Sequence, residues 1–141
     1  MASLWEETWR PPEFPRLEGD VDTHVLVVGG VLCAYFLHRA GVPYVLAEAD
    51  TIGSGVTKNT TAKITSQHGL IYHQLVRRWG VERARQYLAA QEEALERYRT
   101  LCRDIDCGFE EKDAYVYALD SREKIDRELS ALERLGAPKE F

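Results

Sequence analysis

His24 to Asp50 reads HVLVVGG, then VLCAYFLHRA, then GVPYVLAEAD, and the order of these parts decides the fold. An apolar run, Val25 to Val28, stops at Gly29 and Gly30. A short amphipathic segment, Val31 to Ala40, stops at Gly41, and Pro43 prevents it from running on. A second apolar run, Tyr44 to Ala47, stops at Glu48. The order predicts strand, tight turn, helix and strand, with a carboxylate at the tip of the second strand. That is the opening βαβ unit of a Rossmann-like, α/β dinucleotide-binding fold. Glycines let the backbone turn sharply and approach a pyrophosphate. The helix N-terminus offers that anion N–H groups and the positive end of its dipole. Glu48 is placed to accept hydrogen bonds from the ribose hydroxyls of an adenosine. Both strands are continuously apolar, as parallel strands covered on both faces are. Leu32, Tyr35 and Phe36 share a helix face and are expected to pack on the sheet.

The glycine fingerprint G-x-G-x-x-G is incomplete. Counted from Gly29, its second and third positions fall on Val31 and Ala34; counted from Gly30, on Leu32 and Tyr35. The helix is also short for a crossover, at about ten residues or roughly 15 Å. One change repairs both faults. Four residues of the type Gly-x-x-Gly between Gly30 and Val31 would restore the glycines and add a turn. Four residues rotate a helix by about 400°, so its apolar face would move only about 40°. The segment reads as a dinucleotide-binding unit whose phosphate loop has been shortened.

Upstream, residues 1–20 hold Trp5, Trp9, Pro11, Pro12 and Pro15. Prolines interrupt helices and sheet ladders, so an extended arm is expected, laying its tryptophans on a neighbouring surface. Downstream, Gly53 to Gly69 is the chemically richest loop. It carries the hydroxyls of Ser54, Thr57, Thr60, Thr61, Thr65 and Ser66, two lysines, the amides of Asn59 and Gln67, and His68. Such donors suit phosphates and the polar edge of a ring, and equally suit an ordinary polar surface loop. His68 and His73 are five apart, which is wrong for a metal pair on one helix face.

Ile71, Leu75, Val76 and Trp79 predict a short amphipathic helix ended by Gly80. Ala84, Tyr87, Leu88, Leu95, Tyr98, Leu101, Cys102 and Ile105 predict a long one over about 81–105. Ala114 to Leu119 reads as a strand. Asp120, with Glu123 three residues on, fits a capping pattern. Ile125, Leu129, Leu132 and Leu135 then line a helix that Gly136 and Pro138 stop.

The 141 residues suffice for a domain with a core, and 29% charged residues is ordinary for a soluble protein. A net charge of −5 without a dense basic run argues against nucleic acid as partner. Cys33, Cys102 and Cys107 show no C-x-x-C spacing and read as reduced thiols. No apolar run approaches the roughly 20 residues of a membrane span, and no leader pattern is visible, so a cytoplasmic location is expected.

The chain resembles the N-terminal portion of the FAD-dependent oxidoreductases of the D-amino-acid oxidase type, which include glycine and sarcosine oxidases. It is most similar to bacterial members, some of which carry a C-terminal Rieske domain. The residues that carry the resemblance are SLWEETWRPPEFPRLEGD at the N-terminus, the βαβ unit, EADTIGSGVTKNTTAKITSQHGL from Glu48 to Leu70, and DAYVYAL. The resemblance implies FAD as cofactor and hydride transfer to it from an amine or amino acid. It implies cofactor contacts at Gly29, Gly30, Glu48, Ala49, Gly53, Thr60, Thr61 and Ser66. It also implies a division into an arm at 1–20, a FAD-binding portion at 21–107 and, at 108–141, the start of an α+β substrate-side domain. No catalytic residue is nominated, because the family's substrate-binding residues come mostly from later in its longer chains. Two other readings stay open: a non-catalytic fragment or interaction module that does not bind FAD alone, and an NAD site, which Glu48 would serve equally.

Overall fold

A computed structural model describes residues 4–119 and 121–137. The chain divides into two compact units, one up to Ala62 and one from Lys63.

The first unit holds helix α1 (Leu4–Thr8), strand β1 (Val25–Val28), helix α2 (Val31–Arg39) and strand β2 (Tyr44–Ala47). The βαβ unit forms as its sequence predicts. β1 and β2 pair in parallel, with Val25 opposite Tyr44 and Val28 opposite Ala47. Gly29 N–H donates to the Ala47 carbonyl at 2.9 Å and extends the ladder by one bond. Gly29 (φ 68°) and Gly30 (φ 53°) are both left-handed, a conformation that disfavours any residue with a Cβ. The chain thereby reverses from β1 into α2 within two residues.

Two expectations for this unit are corrected. The sheet is covered on one face rather than both: Val27 is buried, while Leu26 and Val28 are 60% and 77% exposed. The residue that α2 buries is Ala34, while Tyr35 is half-buried and Leu32 and Phe36 stay exposed. Ala34 is small enough for close approach, whereas Leu32 and Phe36 lie roughly 160–200° around the helix from it at about 100° per residue, and both are exposed. The arm is also not wholly extended. Its prolines begin at Pro11, so nothing forbids the helical turn at Leu4–Thr8, which Trp9 N–H closes onto the Trp5 carbonyl at 3.1 Å.

The second unit packs helix α3 (Tyr72–Cys102) against helix α4 (Arg122–Leu135). Its core is Tyr72, Ala84, Leu88, Ala131 and Leu135, flanked by Ile71, Leu75, Val76, Val81 and Leu132. Gly80 breaks α3 with φ 83° and ψ 167°, so the two helices expected on either side of it are present. The second ends at Cys102 rather than Ile105, which lies in a turn and is 58% exposed. The buried stripe of α4 is Glu128, Ala131 and Leu135, with Ile125, Leu129 and Leu132 half-buried beside it. The face is thus turned from the one the leucines suggested. Gly136 caps the helix in the left-handed region. Asp120 and Pro138, expected as cap and stop, lie outside the described residues.

Ala114 to Leu119 is not a strand. Its residues have β propensity, but a strand needs a ladder partner, and none of the described residues pairs with it. Tyr115, Tyr117 and Leu119 are instead 79%, 78% and 93% exposed.

Candidate cofactor-binding site

Of the eight expected contact residues, four come together at the carboxyl ends of the parallel strands. The open-sheet rule places ligands at that edge. Glu48 follows β2 and faces the turn that follows β1: a Cβ built on Gly29 would lie 3.9 Å from Glu48 Oε2. Glu48 Oε1 accepts from Ala49 N–H at 2.8 Å and Asp50 N–H at 3.4 Å, which fixes the carboxylate at the strand tip. Gly30 is the N-cap of α2, and its carbonyl accepts from Cys33 N–H at 2.9 Å and Ala34 N–H at 3.2 Å. Helix geometry leaves the Val31 and Leu32 N–H groups without an intrahelical acceptor. A Cβ on Gly30 would stand 3.4 Å from Val27 Cγ1. The arrangement offers an anion two N–H groups and a helix dipole, with a carboxylate for hydroxyl groups beside them.

Gly53, Thr60 and Thr61 lie on the following loop, which the arm braces. Trp5 Nε1 donates to the Thr60 carbonyl at 2.8 Å. The Trp9 ring covers Gly53 so closely that a Cβ there would stand 3.0 Å from the ring. The tryptophans therefore do lie on a neighbouring surface, and Gly53 has a packing reason to be glycine. Thr60 Oγ1 accepts from the N–H of Ala62 at 3.2 Å, and Ala62 itself has a positive φ of 54°.

Ser66 belongs to the second unit. Its carbonyl accepts a 2.6 Å hydrogen bond from Tyr72 Oη. Burial pushes Tyr72 up to about 12, helped by Tyr87, Glu92 and Glu128 nearby, so the phenol stays a donor at neutral pH. His68 Nε2 lies 3.3 Å from Gln91 Oε1 on α3.

Glu128 was not anticipated from the sequence. It is 3% exposed, yet Oε1 accepts from Tyr72 N–H at 2.8 Å and Gln67 Nε2 at 2.9 Å, and Oε2 accepts from His73 N–H at 2.7 Å. It supplies from α4 the cap that Ile71, at the start of α3, cannot make. Two signals pointed to it: an acid one heptad before Leu135 on the same helix stripe, and a helix start with no Ser, Thr, Asp or Asn.

Two clefts, of about 400 Å³ beside His73 and Arg127 and about 740 Å³ beside Arg99 and Cys107, contain none of the eight residues. Among the described residues no helix is long and apolar enough to cross a membrane. No group of three His, Cys, Asp or Glu among them is arranged to hold a metal ion.

A parallel βαβ unit with a left-handed glycine turn and a strand-tip carboxylate is the opening unit of the α/β class of Rossmann-like folds. Residues 24–141 match the family model described as DAO, FAD dependent oxidoreductase, and the chain belongs to that family. It is 34% identical over 147 residues to the putative Rieske 2Fe-2S iron-sulfur protein YhfW of Bacillus subtilis (strain 168). That match covers 99% of this chain and 29% of the relative, so the chain spans less than a third of the relative's length. No solved structure matches.

Proposed function

We propose that the chain is the cofactor-binding N-terminal portion of a cytoplasmic oxidoreductase that oxidises a small amine or amino acid by hydride transfer to FAD. The observation that carries this is the Gly29–Gly30 turn lying against Glu48 at the ends of paired strands. In this reading Glu48 and Ala49 hold the adenosine ribose, and Gly29, Gly30 and the first N–H groups of α2 face the pyrophosphate. Gly53, Thr60 and Thr61 supply further contacts. Bound FAD would supply the hydride acceptor, while this chain's residues bind and orient it. Residues 21–107 would form the cofactor portion, and 108–141 the start of the substrate side. The iron–sulfur cluster in the relative's name does not fit the described residues, which gather no such set of ligands.

A second reading, a portion that does not retain FAD alone, is favoured by a specific observation. Val31, which opens α2, carries a side chain where the fingerprint counted from Gly29 wants glycine. The 147 aligned positions exceed the 141 residues of the chain, so at least six positions of the alignment have no counterpart here. A loop lost after Gly30 would account for four of them.

Titration of the chain with FAD, with ADP as competitor, tests the proposal. FAD binding that ADP displaces and that Glu48→Gln weakens supports it. Binding of NADH instead, or FAD binding indifferent to Glu48, refutes it.

A further inference from the structure

Helix α3 ends at Cys102, and the chain turns back at once. Ile105 N–H donates to the Cys102 carbonyl at 3.4 Å, and Cys107 N–H donates to the Ile105 carbonyl at 2.8 Å. The turn brings the two cysteines together: both line the same cleft of about 740 Å³, and their side chains share a hydrogen bond. Both are free thiols, Cys107 exposed and Cys102 half-buried. Residues 103–107 are exposed, and Gly108 beyond them has open space around it.

An exposed Cys107 fills no core space, so packing gives no reason for a thiol there. Two thiols in hydrogen-bond contact need only a small shift to reach the S–S bond length of about 2.05 Å. The residues that must shift are exposed rather than packed.

We propose that Cys102 and Cys107 form a reversible dithiol–disulfide site, oxidised by hydrogen peroxide, that fastens the turn to the end of α3. Both residues lie in the unit from Lys63, and the chemistry is independent of FAD. The exposed Cys107 thiolate attacks one peroxide oxygen. An S–O bond forms, the O–O bond breaks, and the leaving hydroxide takes the proton that the Cys107 thiol gave up, leaving as water. Cys102 then attacks the sulfur of this sulfenic acid. The S–S bond forms, the S–O bond breaks, and the departing hydroxide takes the Cys102 proton as a second water. The thiols lose two electrons, and the peroxide gains them. Burial and the hydrogen bond to Cys107 raise the Cys102 thiol, so Cys102 is the poorer first nucleophile and takes the second step.

The test uses the intact chain carrying Cys33→Ser, since the exposed Cys33 is able to cross-link two chains. Arg103 lies between the two cysteines, so trypsin separates them and a bond between them appears as a linked peptide pair. Hydrogen peroxide should give that pair in the monomeric chain, and dithiothreitol should undo it. With Cys102→Ser added, Cys107 should run on to sulfinic and sulfonic acids. In a glutathione redox buffer the ratio of disulfide to dithiol should be about tenfold higher in the native chain than in urea. Over-oxidation of Cys107 without linkage to Cys102 overturns the site, and so does a bond formed only between chains. A native ratio no higher than that in urea overturns the placement of the pair by the fold.

Discussion

Replacing Glu128 by alanine should cost the second unit about 3 kcal/mol of stability. The carboxylate accepts three hydrogen bonds, from Tyr72 N–H, His73 N–H and Gln67 Nε2. A bond to a charged acceptor contributes about 1.5–3 kcal/mol, and a buried donor left unsatisfied costs about 1–3 kcal/mol. Tyr72 N–H lies in the core and would be left without water, so it takes the full penalty. His73 is half-buried and Gln67 can turn outward, so water replaces much of their share. Loss of an anion at the helix N-terminus adds about 0.5–1 kcal/mol. The hydrogen-bond values are already net of the carboxylate's desolvation. The balance is about 3 kcal/mol, in a fold whose total is of the order of 5–15 kcal/mol. Urea unfolding followed by far-UV circular dichroism reads it as a midpoint shift of about 1.5–3 M, for a slope of about 1–2 kcal/mol per M. Glu123→Ala is the control: it removes the exposed pair with Arg127 and should change stability by less than about 0.5 kcal/mol. A Glu128→Ala chain within about 1 kcal/mol of wild type would refute the assignment of Glu128 as the cap of α3.

Insertion of Gly-x-x-Gly between Gly30 and Val31 should tighten FAD binding by about tenfold to a hundredfold, the worth of one regained hydrogen bond to a charged phosphate; fluorescence titration checks it, and unchanged affinity would mean the loop is not the defect. The Tyr72 phenol, raised to about 12 by burial, should make stability fall in alkali. The sign follows from its protonated native form: the contribution is complete below about pH 10 and is lost as pH rises toward about 12. Unfolding curves of wild type and Tyr72→Phe should therefore diverge in slope over that interval and run parallel below it. Burial and a hydrogen bond with Cys107 hold the Cys102 thiol above its ordinary range, whereas Cys33 and Cys107 are exposed. Iodoacetamide at pH 8 should therefore label Cys102 last, as peptide mass spectrometry will show.

The βαβ unit was legible because its signals are local: apolar runs of strand length, glycines where φ must be positive, and an acid at the strand tip. The break at Gly80 was legible for the same reason. What the sequence hid depends on partners distant along the chain. Hydrophobic counting put Leu32 and Phe36 against the sheet, but the close contact selected small Ala34 and left both larger side chains exposed. The β propensity of Tyr115–Leu119 came to nothing because propensity supplies no ladder partner. The role of Glu128 could not be read in advance, since the donors it serves are 55 to 61 residues away in sequence. In the candidate site, Glu48 and the glycine pair could be read in advance, whereas the bracing of Gly53 and Thr60 by Trp9 and Trp5 could not be assigned before the loop's course was known.

The most direct test of the cofactor claim is the visible absorbance spectrum of the purified chain after incubation with FAD and desalting. The account predicts retained flavin bands, weakened by Glu48→Gln and strengthened by the restored glycine loop. A colourless protein, with the loop restored as well as without it, would contradict the assignment of the Gly29–Glu48 edge as a flavin-dinucleotide site.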